Sequence, residues 1–198
     1  MTEPLHKSQD SFLWTQAFNP NPNGEARLIC FPFAGGDAVA FRDWPKHLTP
    51  DLEVMGIRLP GRGSRISEAP MRQLREMIPP MTDEVVSFFD RPVFFFGHSL
   101  GAILAYEVAQ ELRRRKETLP QKIIVSASEP PQNSLLPREQ MHLWEEDRFL
   151  AKVKSMGGVP KEVLAYPELL RFLIPIIQAD IQALETYRYQ EEEKLPCP

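Results

Sequence analysis

Residues 92–102 read PVFFFGHSLGA, and this stretch decides the fold. Its apolar first half, residues 92–96, is typical of a buried strand. A G-x-S-x-G pattern follows, and a helical stretch over residues 102–116 comes directly after it. Because strand, sharp turn and helix in this order form a nucleophile elbow, we predict that Ser99 is a nucleophile at the end of a strand.

The two glycines of the pattern meet the steric demands of such an elbow. Gly97 and Gly101 would let strand and helix approach without a clash of Cβ atoms, while Ser99 occupies a strained turn. The amino end of the following helix would point at negative charge that forms beside the serine. The alternative is a glycine-serine turn that fits by coincidence, and the flanking strand and helix argue against it.

The composition indicates one globular domain. The chain has 198 residues, of which 42% are hydrophobic and 25% are charged, enough for a single core. A net charge of −4 argues against nucleic acid as the main partner. We find no secretory signal and no apolar run long enough to span a bilayer. The two cysteines, Cys30 and Cys197, form neither a disulfide framework nor a metal cluster, so we expect a cytoplasmic protein.

Apolar strands alternate with helical stretches over the first two thirds of the chain. We predict strands at residues 26–31, 52–59, 92–96 and 122–126. A short helix is predicted at 41–48, and a helical stretch at 71–89 that Pro79 and Pro80 kink or divide. This alternation predicts an α/β fold with a mostly parallel sheet and an active site at the carboxyl ends of its strands. Ser99 and the turn at residues 32–36 both fall at that edge.

The chain divides into four parts. Residues 1–24 are predicted as a polar leader, with the aromatic run at 12–14 packed on the domain, and residues 25–132 as the core. Residues 133–190 are predicted as a helical lid inserted after the fourth strand, and 191–198 as a solvated linker toward a further part of the core. Gly157 and Gly158 fit a hinge for the lid, whereas the alternative is a plain structural helical subdomain.

Charged residues outside the elbow have simple structural interpretations. Arg58, Arg62 and Arg65 flank a glycine-rich loop and are interpreted as solvated charge. The basic run at residues 113–116 ends a helix, where cations interact favourably with the helix dipole. Asp180 lies in a helical run of the lid, and we expect it to cap or pair inside the lid.

A serine nucleophile needs a base and an acid that orients the base. In hydrolases with this elbow, the acid and then a histidine follow the serine along the chain. Here His6 lies in the leader, His47 lies before the second strand, and His98 inside the elbow points away from the reaction face. His142 starts the lid with no strand to place it. We therefore expect the triad Asp and His beyond Pro198.

Several motifs together resemble the type II thioesterases of polyketide and nonribosomal peptide synthesis, which are α/β-hydrolases. The motifs are FPFAGG at 31–36, LPGRG at 59–63, GHSLG at 97–101, GGVP at 157–160 and ADIQALETY at 179–187. The likeness extends from about residue 27 to residue 198. It implies an α/β-hydrolase fold whose C-terminal strands and helix are missing from this chain.

The resemblance also implies a reaction. Ser99 would attack acyl thioesters on the phosphopantetheine arm of acyl or peptidyl carrier proteins, editing the assembly lines of antibiotic biosynthesis. The backbone amides of Leu100 and Ala34 would form the oxyanion hole. Ala34 is preferred to Phe33, because the position of Phe33 is often proline in this family and proline has no N–H. No metal or cofactor is implied beyond the phosphopantetheine of the substrate, and the lid would form an acyl chamber.

Two alternatives to a thioesterase remain at this stage. The chain is expected to be inactive or nearly so by itself. The first alternative is therefore a non-catalytic pseudo-hydrolase module that binds carrier proteins or acyl chains. Another serine esterase or lipase is the second alternative. We expect the complete protein to be a monomer, and this chain to expose a sheet edge with apolar surface.

Overall fold

A five-stranded sheet lies at the centre of the structure, a computed structural model that describes residues 13–136, 139–157 and 166–198. The strands are β1 (Thr15–Ala17), β2 (Ala26–Phe31), β3 (Leu52–Ile57), β4 (Val93–His98) and β5 (Lys122–Ser126). Their order is β1-β3-β2-β4-β5. β1 is antiparallel to β3 and all other neighbours are parallel, which confirms the predicted mostly parallel α/β sheet.

The four predicted strands are all present, with small shifts in two of them. β2 and β5 have the predicted bounds, and β3 ends at Ile57, two residues before the predicted end. β4 continues to His98 because Gly97 and His98 still pair with Val125 and Ser126 of β5. The strand therefore runs up to the serine itself.

β1 lies inside the segment predicted as a polar leader, and its start is anchored to the core. Trp14 is buried, with the guanidinium of Arg65 at 4.2 Å from its ring centroid. The Glu84 carboxylate accepts hydrogen bonds from the Trp14 N–H at 2.9 Å and the Thr15 hydroxyl at 2.7 Å. The packing predicted for the run at 12–14 is confirmed for Trp14 and wrong for Leu13, which is 60% exposed, and Phe12 lies outside the described residues.

Two helices pack on the sheet, α1 (Leu74–Val85) and α2 (Leu100–Arg114). The predicted inner face of α2, formed by Leu104, Val108 and Leu112, is fully buried in the main core. The same core cluster contains the buried side chains of α1, so the two helices share one apolar interior. Burial of this stripe is what fixes α2, and hence its amino end, against the sheet.

The predicted division at Pro79 and Pro80 is wrong, because α1 continues through both prolines, and the alternative of a kink within one helix stays a prediction. Each proline lacks the N–H that would bond to the carbonyl four residues earlier, at Arg75 and Glu76. Both of those residues are exposed, so water can satisfy their carbonyl groups. Burial of Met77 and Met81 on the opposite side holds the helix in place.

The predicted helix at residues 41–48 is instead a pair of short 3₁₀ turns, Ala38–Phe41 and Trp44–His47. Pro45 lies in the second turn and cannot donate a helical hydrogen bond. Trp44 faces inward as predicted, with its ring centroid 4.8 Å from that of Phe96.

The region predicted as a lid is helical. It contains α3 (Glu146–Ser155) and α4 (Pro167–Thr186), preceded by 3₁₀ turns at Pro131–Leu135 and Met141–Leu143. α4 passes through Pro175 without interruption. The helices share a small apolar cluster of their own that includes Phe149 and Ile177. Among the residues described, no helix is long and apolar enough to cross a membrane.

Part of the predicted lid lies outside the described residues, namely residues 137–138 and 158–165, which include Gly158 of the predicted hinge. Gly157 has a φ of +71°, and in the part of the chain that the structure describes no atom beyond its chain neighbours lies within 4 Å of the place where its Cβ would lie.

The segment predicted as a solvated linker is docked on α2. Glu192 forms ion pairs with both Arg113, at 2.7 Å, and Arg114. These contacts pair two of the cations at the basic end of α2 with a carboxylate. Further on, the Pro198 carbonyl accepts a hydrogen bond from the Ile123 N–H at 2.9 Å, so the segment runs back to β5.

Candidate active site

Ser99 occupies the tight turn between β4 and α2. Its φ of 54° and ψ of −116° lie outside the regions that non-glycine residues favour, and the side chain is partly exposed. A Cβ on Gly97 would lie 2.5 Å from the Cα of Ala102, and one on Gly101 would overlap the Phe31 carbonyl oxygen. The elbow therefore needs both glycines, as predicted, and it lifts the serine hydroxyl out of the core.

Backbone hydrogen bonds hold this turn against the neighbouring strand. The Ser99 N–H donates to the Ser126 carbonyl at 2.8 Å, at the end of β5. Ser99 is also the N-cap of α2, so Leu100 is its first residue. The N–H of a first helical residue has no acceptor inside its helix, and it lies at the positive end of the helix dipole.

The turn after β2 lies beside the elbow. Phe31 pairs with Gly97 across the sheet, so both chains leave the sheet at the same level. The Gly36 N–H donates to the Phe33 carbonyl at 2.8 Å, and Gly35 has a φ of +79°, the geometry of a type II turn over residues 33–36. Within the described residues, the Ala34 N–H has no hydrogen-bond acceptor, which leaves it available for an oxyanion.

The interpretation of Arg58, Arg62 and Arg65 as solvated charge is wrong. Arg62 and Arg65 are buried, and the Arg58 side chain is only 12% exposed. Arg58 pairs with Asp37 at 3.1 Å, and Arg65 pairs with Glu68 at 2.6 Å. The glycine-rich loop folds over its own cations, and their carboxylate partners compensate the loss of hydration.

The expectation that Asp180 caps or pairs inside the lid is also wrong, because its partner is Arg62. Asp180 of α4 is fully buried and pairs with Arg62, which lies in the loop after β3 and not in the lid. The same carboxylate accepts the N–H of Gly35 at 2.7 Å. No local signal marks this contact in the sequence, since the two members of the ion pair are 118 residues apart.

His98 and His142 have partners other than Ser99, and His6 lies outside the described residues. His98 Nδ1 lies 3.0 Å from the Ser126 hydroxyl, and His142 Nδ1 lies 2.5 Å from a Glu185 carboxylate oxygen of α4. His47 is exposed. In the described ranges, the Ser99 hydroxyl forms no hydrogen bond to a histidine.

The chain is similar in sequence to known proteins over most of its length. A family model for the thioesterase domain matches residues 26–197. The gramicidin S biosynthesis protein GrsT of Aneurinibacillus migulanus is 32% identical over 185 residues, which are 93% of this chain and 72% of GrsT. The thioesterase PikA5 of Streptomyces venezuelae is 35% identical over 190 residues, which are 96% of this chain and 67% of PikA5.

A solved structure agrees as well. The type II thioesterase BorB from the borrelidin biosynthetic cluster superposes with a TM-score of 0.83 at 32% identity, and the match covers 93% of this chain and 75% of BorB. The α/β architecture expected from the motifs is thus also found in a protein of similar sequence.

Proposed function

The chain belongs to the thioesterase family, and we propose that it releases acyl groups from the phosphopantetheine arms of carrier proteins in polyketide or nonribosomal peptide assembly. One observation carries the chemistry: Ser99 is held in a strained turn between the amino end of α2 and a turn whose Ala34 N–H is unoccupied among the described residues. The biosynthetic roles named for GrsT, in gramicidin S biosynthesis, and for BorB, in the borrelidin cluster, support the pathway class.

The reaction proceeds through an acyl-enzyme. The Ser99 oxygen attacks the thioester carbonyl, and the N–H groups of Leu100 and Ala34 donate to the oxyanion of the tetrahedral intermediate. The C–S bond then breaks, and the phosphopantetheine sulfur leaves as a thiol after it takes up a proton. Water attacks the acyl-serine in the second half, which releases the carboxylic acid and restores the hydroxyl.

Both halves need a group that accepts and returns the serine proton. In the proposed mechanism this is a histidine oriented by an aspartate, as in other enzymes with this elbow. Hydrolysis of stalled or incorrect acyl groups frees the carrier thiol, so that the assembly line resumes. The partners are carrier proteins in the cytoplasm, and the protein uses no cofactor of its own.

Hydrolysis of an acylated carrier protein tests the proposal. The full-length protein should release free carrier thiol, and intact-mass spectrometry should detect an acyl group on Ser99. Ser99→Ala should lower kcat by at least about 10³-fold, because the nucleophile is lost. Ser87→Ala is the matched control, since Ser87 is exposed in the 3₁₀ turn after α1 and its hydroxyl donates to the Glu84 carbonyl, away from the elbow.

The alternatives give different results in the same experiment. A pseudo-hydrolase module would bind the acylated carrier without releasing thiol or forming an acyl-serine. An esterase or lipase would show a higher kcat/KM for an oxygen ester of the same acyl group than for the thioester. Either result would contradict the proposed function.

A further inference from the structure

One carboxylate of the lid contacts the turn that supplies the Ala34 N–H. Building on the function proposed above, we infer that Asp180 of α4 is a positioning residue for the oxyanion hole and that Arg62 holds its carboxylate in place. Neither residue was expected from the sequence to act on the site. The inference adds a lid residue to a hole otherwise built from the two turns at the end of the sheet.

The contacts form a closed network around the turn. Arg62 donates to both carboxylate oxygens of Asp180, at 2.6 Å through Nη1 and 2.8 Å through Nη2. Asp180 Oδ2 accepts the Gly35 N–H at 2.7 Å, and Arg62 Nη1 donates to the Gly36 carbonyl at 2.9 Å. Asp180 is 0% exposed and Arg62 is 5% exposed, so water does not compete for these groups.

The hydrogen bond to Gly35 fixes the one peptide of the turn that is able to flip. Type I and type II turns differ mainly in the orientation of the central peptide, here the one between Ala34 and Gly35. With the Gly35 N–H bound to Asp180, the turn stays in the type II form that its φ of +79° shows. The N–H of Gly35 is also occupied, so Ala34 is the residue of the pair that can serve the oxyanion.

Arg62 makes a carboxylate at this position compatible with the chemistry. An unpaired negative charge beside the hole would repel the oxyanion that forms during attack, and the low dielectric of a buried site strengthens that repulsion. Paired with the guanidinium, Asp180 presents an acceptor to Gly35 without a net charge. We therefore expect the loss of Arg62 to impair catalysis at least as much as the loss of Asp180.

Packing supports the same contact. Ile177 lies three residues before Asp180 on α4, and its Cγ1 is 2.6 Å from the place that a Cβ on Gly35 would occupy. Ala34 packs against the apolar cluster to which Ile177 belongs. The helix thus lies directly on the turn, and a shift of α4 would displace the Ala34 N–H.

Substitutions in the full-length protein test the inference through kcat and KM for an acylated carrier protein. Asp180→Ala should lower kcat by ~10- to 100-fold while KM changes less than about threefold, because the hole acts on the transition state. Asp180→Asn retains an acceptor for Gly35 and should recover part of the loss. The kcat of Arg62→Ala should be equal to or lower than the kcat of Asp180→Ala.

Glu185→Ala is the matched control. Glu185 is a partly buried carboxylate on the same helix, but its partners are the backbone N–H groups of Met141 and His142 and the His142 ring, not the turn at residues 33–36. Glu185→Ala should lower the melting temperature about as much as Asp180→Ala does, and it should leave kcat within about twofold of wild type. Equal losses of kcat in Glu185→Ala and Asp180→Ala would reduce Asp180 to a structural contact and overturn the inference.

Amide hydrogen exchange supplies a readout that does not depend on turnover. In the chain described here, Asp180→Ala should abolish the protection of the Gly35 amide, and Glu185→Ala should preserve it. Unchanged protection in Asp180→Ala would overturn the inference even if the enzyme proves active. A wild-type protein that hydrolyses no acyl-carrier thioester would instead contradict the proposed function, while exchange at Gly35 still reports on the Asp180 contact.

Discussion

Gly101 of α2 lies directly against the backbone of Phe31 at the end of β2, with no room for a side chain between them. A Cβ on residue 101 would overlap the Phe31 carbonyl oxygen and come within 2.8 Å of the Pro32 oxygen. This contact brings the start of the helix to the start of the turn at residues 33–36. The two backbone segments assigned to the oxyanion hole are therefore adjacent because residue 101 has no side chain.

Gly101→Ala should destabilise the fold and impair hydrolysis together. Relief of the overlap requires movement of two backbone segments, so we expect a loss of at least ~2 kcal/mol in the free energy of unfolding. Urea denaturation measures the loss, and kcat for an acylated carrier measures the displacement of the hole. Gly157→Ala is the control: among the described residues its Cβ would meet no atom within 4 Å beyond its chain neighbours, so its positive φ should account for the loss of stability, about 1 kcal/mol. Equal losses for the two variants would contradict this account.

The Glu107 carboxylate should give the fold a measurable dependence on pH. Burial raises its pKa above the ordinary 4.5, although the hydrogen bond from the Tyr187 hydroxyl at 2.6 Å acts in the opposite direction. A raised pKa in the folded state means that this group stabilises the fold below about pH 4.5 and loses that contribution as pH rises through the folded pKa.

Glu107→Gln should therefore become more stable relative to wild type as pH rises. Glutamine resembles the protonated carboxyl and still accepts from the Tyr187 hydroxyl. Urea denaturation between about pH 4 and pH 8 measures the difference in unfolding free energy between the two proteins. Glu76→Gln, on an exposed position of α1, corrects for the loss of a surface carboxylate. A difference that stays constant or falls with pH would refute the assignment.

The outer strand of the sheet should promote association of this chain. Ile124 is 43% exposed and Val125 is 60% exposed, and as neighbours on β5 they lie on opposite faces of the sheet. Val125→Lys should shift the chain toward monomer in sizing experiments at high concentration, because a charge opposes edge-to-edge pairing. Val39→Lys, at a 40% exposed position in a 3₁₀ turn, is the control. A clean monomer for the wild-type chain at every concentration would contradict the prediction.

The elements that the sequence predicts well depend on neighbours along the chain. The elbow is recognisable from residues 97–101, because the strain at Ser99 and the close approach of Gly97 to Ala102 both arise within one turn. The strands at β2 and β5 follow from short apolar runs, and their observed bounds agree with the predicted ones. Pro79 and Pro80 mislead for the same reason, since a local rule ignores the burial of Met77 and Met81 that keeps α1 intact.

The parts that the sequence does not reveal depend on partners far apart in the chain. An arginine next to glycines is typical of a solvated loop, and no residue near position 62 indicates another role. In the fold, α4 places Asp180 beside Arg62, and the two form an ion pair. β1 is similar: its three residues are too few for a strand signal, and Glu84 of α1 supplies the anchor. Such contacts become visible only when the three-dimensional packing is known.

The ion pair between the loop after β3 and the fourth helix sets a condition for engineering this enzyme. A cap region transplanted from a relative to change the acyl groups accepted would bring its own residue to position 180 but leave Arg62 behind in the recipient. If the incoming residue is not a carboxylate, the chimera buries an unpaired guanidinium next to the backbone that receives the substrate oxygen. Exchange of the cap alone would then alter the rate as well as the selectivity, and residues 62 and 180 should be moved as a unit.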